Sequence, residues 1–393
     1  MTILQEALNL KDETIAIRRD FHRHPELGLE EVRTAKIVSE YLLALGLDVS
    51  TGIAETGVVG LLRGKTDSPV LLLRFDMDAL PIQEDTGVDF ASEFSGKMHA
   101  CGHDGHVAVG LSVAKLLSAY KNELQGTIKF VFQPAEEGAG GAEKMVAAGV
   151  LANPSPDFSL AMHVWNQAPL GWYGLNPGPT MAGAEIFQVK IIGKGGHGAA
   201  PHNTIDPVVA TAQIITGIQT ILSRNVNPLD SAVVTVGTVR AGTAFNIIPQ
   251  EASLSGTIRT FKPEVTELVN KRLLKIIQST AEAMGCQAEC EITRITYPVI
   301  NDPELVEKIS EVVKNIDPNA KVDSNFKTMG SEDFSFMMQD IPGCFMMVGS
   351  ANADKGLVYD HHHPKFNFDE ACLPTSVAIL AQSAIRILAD HSK

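Results

Sequence analysis

Four short apolar runs place the strongest constraint on the fold of this chain. They combine β-branched, leucine and phenylalanine residues with few polar ones, and they lie at 57–62 (GVVGLL), 69–76 (PVLLLRFD), 126–133 (GTIKFVFQ) and 158–164 (FSLAMHV). Continuous apolar runs of this length are typical of strands in a sheet that helices cover on both faces. A helical pattern at 32–45, ending before Gly46, precedes these runs, and another at roughly 106–120 lies between the second and the third. The sequence therefore predicts an α/β fold with a mixed central sheet flanked by helices.

The pattern changes near Ala184. From there the pattern predicts a strand at 185–192, a helix at 205–224, strands at 231–240 and 250–259, a helix at 263–284 and a strand at 288–295. This order is that of the ferredoxin-like, split βαβ unit. After Pro298 the α/β character returns and ends in a helix at about 370–389. We therefore predict one α/β domain at 1–183 and 297–393, interrupted by a smaller α+β domain at 184–296.

Charge and cysteine content argue against several classes of protein. The 393 residues carry a formal net charge of −14 at pH 7 and contain no basic run, which argues against a nucleic-acid partner. The 5 cysteines are odd in number and irregular in spacing, which disfavours a disulfide framework. The amino terminus has no apolar segment of the signal-peptide type, and no apolar run reaches the length of a membrane span. A cytoplasmic protein with no membrane partner is the expectation.

The strongest chemical signal is the segment at 99–106 (HACGHDGH). Histidine, cysteine and aspartate are ligand types that zinc and related divalent metals prefer, and they are unusually dense here. The segment lies where a loop enters a predicted helix, so a rigid element can orient the ligands. Two other interpretations stay open, namely a helix start with exposed histidines and a nucleophilic Cys101 beside His103. The density of ligand types favours a metal site.

Acidic and histidine residues also follow other predicted strands. Glu136 and Glu137 come directly after the third apolar run, and adjacent carboxylates allow one to bind a metal and the other to act as a general base. His163 lies near the end of the fourth run, and 360–363 (DHHH) lies in a late loop. Each group has a simpler explanation: an acidic surface loop, a core histidine or an exposed loop. Their common place after strands or in loops of one α/β domain favours a single site.

Three further residues are candidates for supporting roles. Asp78 lies just after the second apolar run, where an aspartate can orient a metal-bound histidine or cap a turn. His197 lies in a glycine-rich loop at 193–201 (GKGGHGAAP), which lacks the context of a phosphate-binding loop and suggests a histidine presented closely to another group. Asn246, in the segment at 245–249 (FNIIP), either donates a hydrogen bond to a substrate carboxylate or stabilises a turn.

Taken together and in order, these segments resemble the M20 metallopeptidases. The resemblance covers essentially the whole chain and rests on HACGHDGH at 99–106, PAEEG at 134–138, MHVW at 162–165, GGHGAAPH at 195–202, AFNIIP at 244–249, GSEDF at 330–334 and HHPKF at 362–366. Within the family the chain is similar to the branch of hippurate hydrolases, N-acyl-amino-acid amidohydrolases and auxin-conjugate hydrolases. That branch has a cysteine where other branches have an aspartate.

The resemblance implies a centre of two divalent metal ions per subunit. Zinc, manganese, cobalt and nickel all suit a set of histidine, cysteine and carboxylate ligands. In the late loop the family pattern points to His362, with His361 or His363 as the alternative ligand. The residues on the family's ligand positions are Cys101, His103, Glu137, His163 and His362.

The resemblance also implies roles for the other candidates. Glu136 falls on the position of the general base, and Asp78 falls on that of a supporting aspartate in the catalytic site. The domain at 184–296 resembles the lid and dimerisation domain of the family. Its His197 resembles the histidine that stabilises the oxyanion and contacts substrate, and Asn246 is expected to bind substrate beside it. A homodimer is implied, with a homotetramer as the alternative.

The function that the resemblance implies is hydrolysis of the amide bond of N-acyl amino acids, such as N-acetyl or N-benzoyl derivatives. Metal-activated water would attack the carbonyl with Glu136 as the general base, releasing a carboxylic acid and an amino acid. A carboxypeptidase or dipeptidase with the same chemistry is one alternative, and a catalytically weak metal-binding protein is another. The presence of Glu136 favours an active enzyme, and nothing resembling a Gly-x-Ser-x-Gly segment supports a serine nucleophile.

Overall fold

The computed structural model describes residues 1–392. The helices are α1 Ile3–Asn9, α2 Lys11–Arg23, α3 Val32–Ala44, α4 His103–Ala119, α5 Gly141–Ala147, α6 Pro207–Arg224, α7 Pro263–Ala283, α8 Pro303–Ile316 and α9 Cys372–His391. The strands are β1 Asp48–Ile53, β2 Gly57–Arg63, β3 Val70–Asp76, β4 Thr127–Gln133, β5 Phe158–Pro169, β6 Trp172–Gly174, β7 Gly178–Met181, β8 Gly183–Ile192, β9 Gly196–His197, β10 Ala232–Ala241, β11 Ile247–Ile248, β12 Glu251–Thr260, β13 Gln287–Thr296, β14 Val299–Asn301, β15 Lys321–Asp323 and β16 Gly343–Ala351.

The described chain divides into two compact units. Unit 1 comprises residues 1–178, 300–327 and the chain from Asp333 onward, and unit 2 comprises residues 179–299 and 328–332. The range 184–296, predicted as an inserted domain, lies inside unit 2. Each unit has its own apolar core.

Unit 1 is built on one sheet with the strand order β1-β2-β4-β3-β5-β16-β6-β15. β4, β3, β5 and β16 are parallel neighbours, whereas β1, β2 and β6 join the sheet by antiparallel pairing. Every residue of β3 and β4 is buried, as the continuous apolar runs at 69–76 and 126–133 predict. The prediction of a mixed α/β sheet is confirmed.

α4 carries ligand-type side chains into the interior of unit 1. It is buried along most of its length and begins at His103, earlier than the apolar pattern predicts. Gly102, just before it, has a φ of +95°, and a Cβ there would collide with the side chain of Val164. Only glycine allows this left-handed backbone so close to a neighbouring strand. As a result His103 and His106 lie on one face of the first turn.

α9 is a core helix of unit 1. It is the one described helix that is long and apolar enough to cross a membrane. In the structure 72% of its most apolar stretch is buried inside the protein. Its apolar residues, such as Leu373, Val377 and Ile387, belong to the core cluster of the unit. The hydropathy of α9 is therefore explained by packing within the protein.

Unit 2 contains an antiparallel sheet with the strand order β10-β12-β8-β13. Of the four strands of this sheet, the first in the chain, β8, lies between the third and the fourth, which is the arrangement of the split βαβ motif. α6 and α7 bury an apolar core against one face of this sheet. α6 begins where the Asp206 carboxylate accepts the backbone N–H of Val208 at 2.8 Å, with Pro207 in its first turn.

Candidate metal centre

The carboxyl ends of adjacent parallel strands place ligand-type side chains at one edge of the unit 1 sheet. Asp76 ends β3, Glu136 and Glu137 follow β4, and His163 lies in β5 just beyond its pairing with β3. Because β4, β3 and β5 are parallel neighbours, these positions meet at the same edge. The first turn of α4 adds His103 to the group.

Two sets of three ligand-type side chains come together there. One set is Cys101, His103 and His163, and the other is Cys101, Glu137 and His362. Within each set the ligand-type atoms lie within 4.8 Å of one another. Because Cys101 belongs to both sets, its sulfur lies between two neighbouring positions that suit a cation. All five side chains belong to unit 1.

His163 presents a lone pair to this cluster. Its Nδ1 lies 2.6 Å from the carbonyl oxygen of Val164, so Nδ1 carries the proton and donates. Its Nε2 then has a lone pair and lies 3.5 Å from Sγ of Cys101. Burial, together with the neighbouring His106 and His361, holds the pKa of His163 well below its usual range. The ring is therefore neutral, as a metal ligand has to be.

Asp78 orients both His103 and the loop that carries the glutamates. Nδ1 of His103 donates to the backbone carbonyl oxygen of Asp78 at 2.9 Å and lies 3.2 Å from its Oδ1. Oδ2 of Asp78 accepts the backbone N–H of Glu137 at 2.9 Å. This leaves Nε2 of His103 buried and without a hydrogen-bond partner among the described residues. A carboxylate that holds the far nitrogen of a ligating histidine is a regular feature of metal sites.

Negative charge is concentrated around His103. Burial by itself would lower the pKa of His103, but nearby carboxylates, first that of Asp76, raise it to about 10. Burial raises the pKa of the Cys101 thiol, and the charges of Glu137 and Glu136 raise it further. The raised pKa values of His103 and Cys101 both mean that the site favours an added positive charge, which a divalent cation supplies. Together with the buried Nε2 of His103, which makes no hydrogen bond with a described residue, this mixed set of nitrogen, sulfur and oxygen atoms fits such a cation.

The three histidines of the late loop point to different neighbours. His362 has a φ of +66°, and its Nε2 lies 3.1 Å from Oε1 of Glu137, a contact that raises the pKa of His362. His361 donates to a backbone carbonyl oxygen, stacks on Trp165, and has its pKa lowered by burial to about 4. His363 is exposed and accepts a backbone N–H through its Nδ1. The structure thus brings His362, rather than either neighbour, to Glu137.

The histidines of the segment at 99–106 are buried. Asp76, His103 and His106 also lie within 4.8 Å of one another, but both nitrogens of His106 are already used. Its Nδ1 donates to Asp76 at 2.6 Å, and its Nε2 accepts the N–H of Val164 at 3.0 Å. His99 is only 2% exposed, and burial lowers its pKa to about 4. The interpretation of this segment as a helix start with exposed histidines is therefore wrong.

An ionic network beneath the cluster was not apparent from the sequence. Arg74 lies 2.6 Å from Oδ2 of Asp76, and its Nε donates to Gln133 at 2.8 Å. Gln133 donates in turn to Asp333 at 2.7 Å, and Asp333 accepts the backbone N–H of Ala142 at 2.9 Å. These buried bonds tie the ends of β3 and β4 to α5. They hold the edge of the sheet where the candidate ligands meet.

Glu31 is a second residue that sequence reasoning missed. It directly precedes α3, a predicted helix, and it is fully buried. Its carboxylate accepts the backbone N–H of Ala135 at 2.9 Å and the hydroxyl of Thr56 at 2.6 Å. Ala135 has a φ of +54° directly before Glu136. Glu31 therefore stabilises an unfavourable backbone conformation that orients the pair of glutamates.

Replacement of Glu31 by glutamine should flatten the dependence of stability on pH. Burial raises the pKa of Glu31 from 4.5 to about 7. As pH rises through this window, the unfolded chain releases the proton first, so the free energy of unfolding falls by about 3 kcal/mol. Glutamine has no such proton. The free energy of unfolding, measured by denaturant titration, should therefore decrease between pH 5 and pH 8 by about 3 kcal/mol less in Glu31→Gln than in the parent protein.

Glutamine preserves the local contacts, because its oxygen can accept from Ala135 and its amino group can donate to Thr56. The matched control is Glu30→Gln, since the side chain of Glu30 is 63% exposed. The control should behave as the parent protein does. An equal decrease between the two pH values in Glu31→Gln and in the parent protein would contradict the raised pKa.

His197 and Asn246 lie together in unit 2. His197 of β9 pairs with Ile247 of β11, and the N–H of Gly198 donates to the carbonyl oxygen of Asn246 at 2.8 Å. Both side chains are exposed. Nδ1 of His197 accepts the N–H of Ala199 at 3.0 Å, which leaves the ring proton on Nε2. The roles in binding substrate that the sequence suggests for these residues stay predictions.

Comparison with known proteins finds matches along most of the chain. The protein family described as "Peptidase family M20/M25/M40" matches residues 72–386 of this chain. The IAA-amino acid hydrolase ILR1-like 4 of Arabidopsis thaliana is 42% identical over 385 residues, which are 96% of this chain and 86% of that protein. The N-acetylcysteine deacetylase of Bacillus subtilis (strain 168) is 39% identical over 375 residues, which are 95% of this chain and 96% of that protein. The solved structure of the YXEP protein of Bacillus subtilis, described as a dinuclear metal binding peptidase from the M20 family, gives a TM-score of 0.85 at 35% identity and covers 97% of this chain and 99% of that chain.

Proposed function

We propose, on the premise that the chain belongs to peptidase family M20/M25/M40, that it hydrolyses the amide bond of N-acyl amino acids and releases a carboxylic acid and an amino acid. The chain is a metal-dependent amidohydrolase of this family, and the proposal concerns its substrate. Two relatives support it, because their names describe the deacetylation of N-acetylcysteine and the hydrolysis of an IAA-amino acid. In each name the substrate is an amino acid to which another chemical group is attached, acetyl in one and IAA in the other.

The observation that carries the proposal is the convergence of five ligand-type side chains in two sets that share Cys101. One set contains His103, whose buried Nε2 makes no hydrogen bond with any described residue. The two sets that share Cys101 favour two neighbouring ions, and a similar solved protein is described as dinuclear. Zinc, manganese, cobalt and nickel all suit these ligand types. The residues that would hold the ions are Cys101, His103, Glu137, His163 and His362.

Residues of unit 1 supply the acid–base chemistry. When bound, divalent ions polarise an amide carbonyl and lower the pKa of the attacking water. The carboxylate of Glu136 lies within 4.8 Å of the ligand-type atoms of His103 and Glu137, a position that suits a general base. Glu136 takes a proton from the water and passes it to the leaving amine. Asp78 accepts the Nδ1–H of His103 and so orients the ring with its Nε2 toward the position of a metal ion.

Residues of unit 2 complete the proposal. The Nε2–H of His197 stabilises the oxyanion, since a hydrogen-bond donor is needed where negative charge develops. Asn246 binds the substrate beside it. The exposed positions of both side chains support these roles. The enzyme acts as a cytoplasmic homodimer, with a homotetramer as the alternative, and sedimentation analysis of the purified protein distinguishes the two.

A screen of amine release tests the substrate class. The purified protein is analysed for metal and then incubated with N-acetyl amino acids, N-benzoyl amino acids and dipeptides. We expect free amine from at least one N-acyl amino acid, and about a thousandfold slower release from a Glu136→Gln preparation, which controls for contaminating hydrolases. Turnover of dipeptides alone would indicate a dipeptidase. No turnover of any class by metal-loaded protein would contradict the proposal.

A further inference from the structure

A small pocket in unit 1 opens beside the candidate metal centre. Its volume is about 140 Å³. Asp78 and Glu137 form part of its wall, and the same two residues contact His103 and His362 in the centre. The pocket and the centre therefore share two residues. The apolar part of the wall comes from Leu27, Ala79, Leu80, Pro81, Ala135 and Ala139.

We propose that this pocket binds the acyl group of the substrate, an inference that rests on the proposed function. The carbonyl of the scissile amide has to lie at the metal centre. The acyl substituent on the carbonyl carbon is therefore next to the pocket, because the pocket and the centre share Glu137. The carboxylate of the amino-acid half needs a cationic or hydrogen-bonding partner when it is buried. None of the described residues that line the pocket carries a positive charge that could pair with it. An uncharged acyl group needs no such partner and buries apolar surface against the leucine, proline and alanine side chains.

The volume of the pocket sets a range of acyl size. An apolar cavity of about 150 Å³ in another protein binds benzene, so a pocket of about 140 Å³ suits acyl groups up to one six-membered ring. Each methylene group that is buried contributes a factor of about four to kcat/KM. We expect kcat/KM to rise about fourfold from N-acetyl to N-propionyl and again to N-butyryl, and to fall for two-ring acyl groups. The amino acid is kept the same throughout the series.

Ala139 offers a substitution that narrows the pocket without touching the candidate ligands. It is exposed, and it belongs to neither ligand set. In Ala139→Leu the ratio of kcat/KM for N-butyryl to that for N-acetyl should fall by about tenfold. The matched control is Ala148→Leu, because Ala148 is an exposed alanine after α5 that lies outside the pocket lining. The control should leave the ratio unchanged.

A second variant acts in the opposite direction. Leu27→Ala enlarges the pocket, and Leu27 is only partly buried. This variant should raise kcat/KM for a two-ring acyl group relative to N-acetyl by about tenfold. Circular dichroism and metal content are measured for each variant, so that loss of fold or metal is recognised. The two pocket variants together keep the test informative if one of them fails to fold.

The acyl pocket and the proposed function fail in different ways. If metal-loaded parent protein hydrolyses no N-acyl amino acid, the proposed function fails. If it hydrolyses N-acetyl amino acids but both pocket variants leave the acyl preference unchanged, the acyl pocket is overturned. The pocket is also overturned if the variants change the preference for the amino-acid side chain instead. Opposite shifts in acyl preference for Ala139→Leu and Leu27→Ala would support it.

Discussion

Glu136→Gln should lower kcat by about a thousandfold and leave the metal content unchanged. Glutamine has nearly the same shape as glutamate, but its amide oxygen does not accept a proton from water at neutral pH. Glu137, the neighbouring residue, keeps its backbone bond to Asp78 and its contact with His362. The measurement is kcat with an N-acyl amino acid that the parent protein hydrolyses, together with metal analysis of the same preparation.

The control for this experiment is Glu143→Gln. Glu143 is an exposed glutamate in α5, so its replacement should change neither kcat nor metal content. Turnover near the rate of the parent protein would exclude Glu136 as the general base. Loss of metal from Glu136→Gln would instead identify Glu136 as a ligand.

Removal of the metal ions should lower turnover by about a thousandfold or more, because polarisation of the carbonyl and activation of water are both lost. The protein is treated with EDTA, passed through gel filtration and assayed. An untreated sample taken through the same column is the control. Addition of zinc, manganese, cobalt or nickel, one at a time, should restore activity and also raise the midpoint of thermal unfolding, because a ligand that binds only the folded state stabilises it. Full activity after complete metal removal would exclude the metal mechanism.

Cys101→Asp separates a metal ligand from a nucleophile at this position. A carboxylate oxygen can replace a thiolate as a metal ligand, so the variant should bind metal and retain metal-dependent turnover, reduced by about a hundredfold or less. A cysteine nucleophile would predict the reverse, namely an inactive variant and a parent protein that is active without metal. The raised pKa of Cys101 also opposes a nucleophilic role, because the thiolate is the reactive form.

The strands that carry the site could be predicted because their signal is local. Buried strands need continuous apolar side chains, so 69–76 and 126–133 identify β3 and β4 directly. The residues after them, including Asp78, Glu136 and Glu137, follow from that assignment. The apolar pattern predicts the start of α4 three residues late, because Gly102 takes its left-handed conformation against Val164 of a distant strand. No local pattern records such a contact.

The supporting residues were harder to predict for the same reason. Glu31 precedes an ordinary amphipathic helix, and its burial depends on Ala135 and Thr56, which are remote in sequence. Nothing in the residues around it distinguishes it from a surface glutamate. The partners of His106 are likewise remote, since Asp76 and Val164 belong to other strands.

The sequence by itself determined which ligand types are available, which strands they follow and the order of the main elements in the inserted domain at 184–296. Only the tertiary structure decided how each side chain is used. Nδ1 of His163 donates to its neighbour's carbonyl oxygen, Asp78 holds Nδ1 of His103, and the φ of +66° at His362 brings that ring to Glu137. These choices depend on hydrogen bonds and backbone angles that form only when distant segments pack together, whereas hydrophobic periodicity is already present in each segment alone.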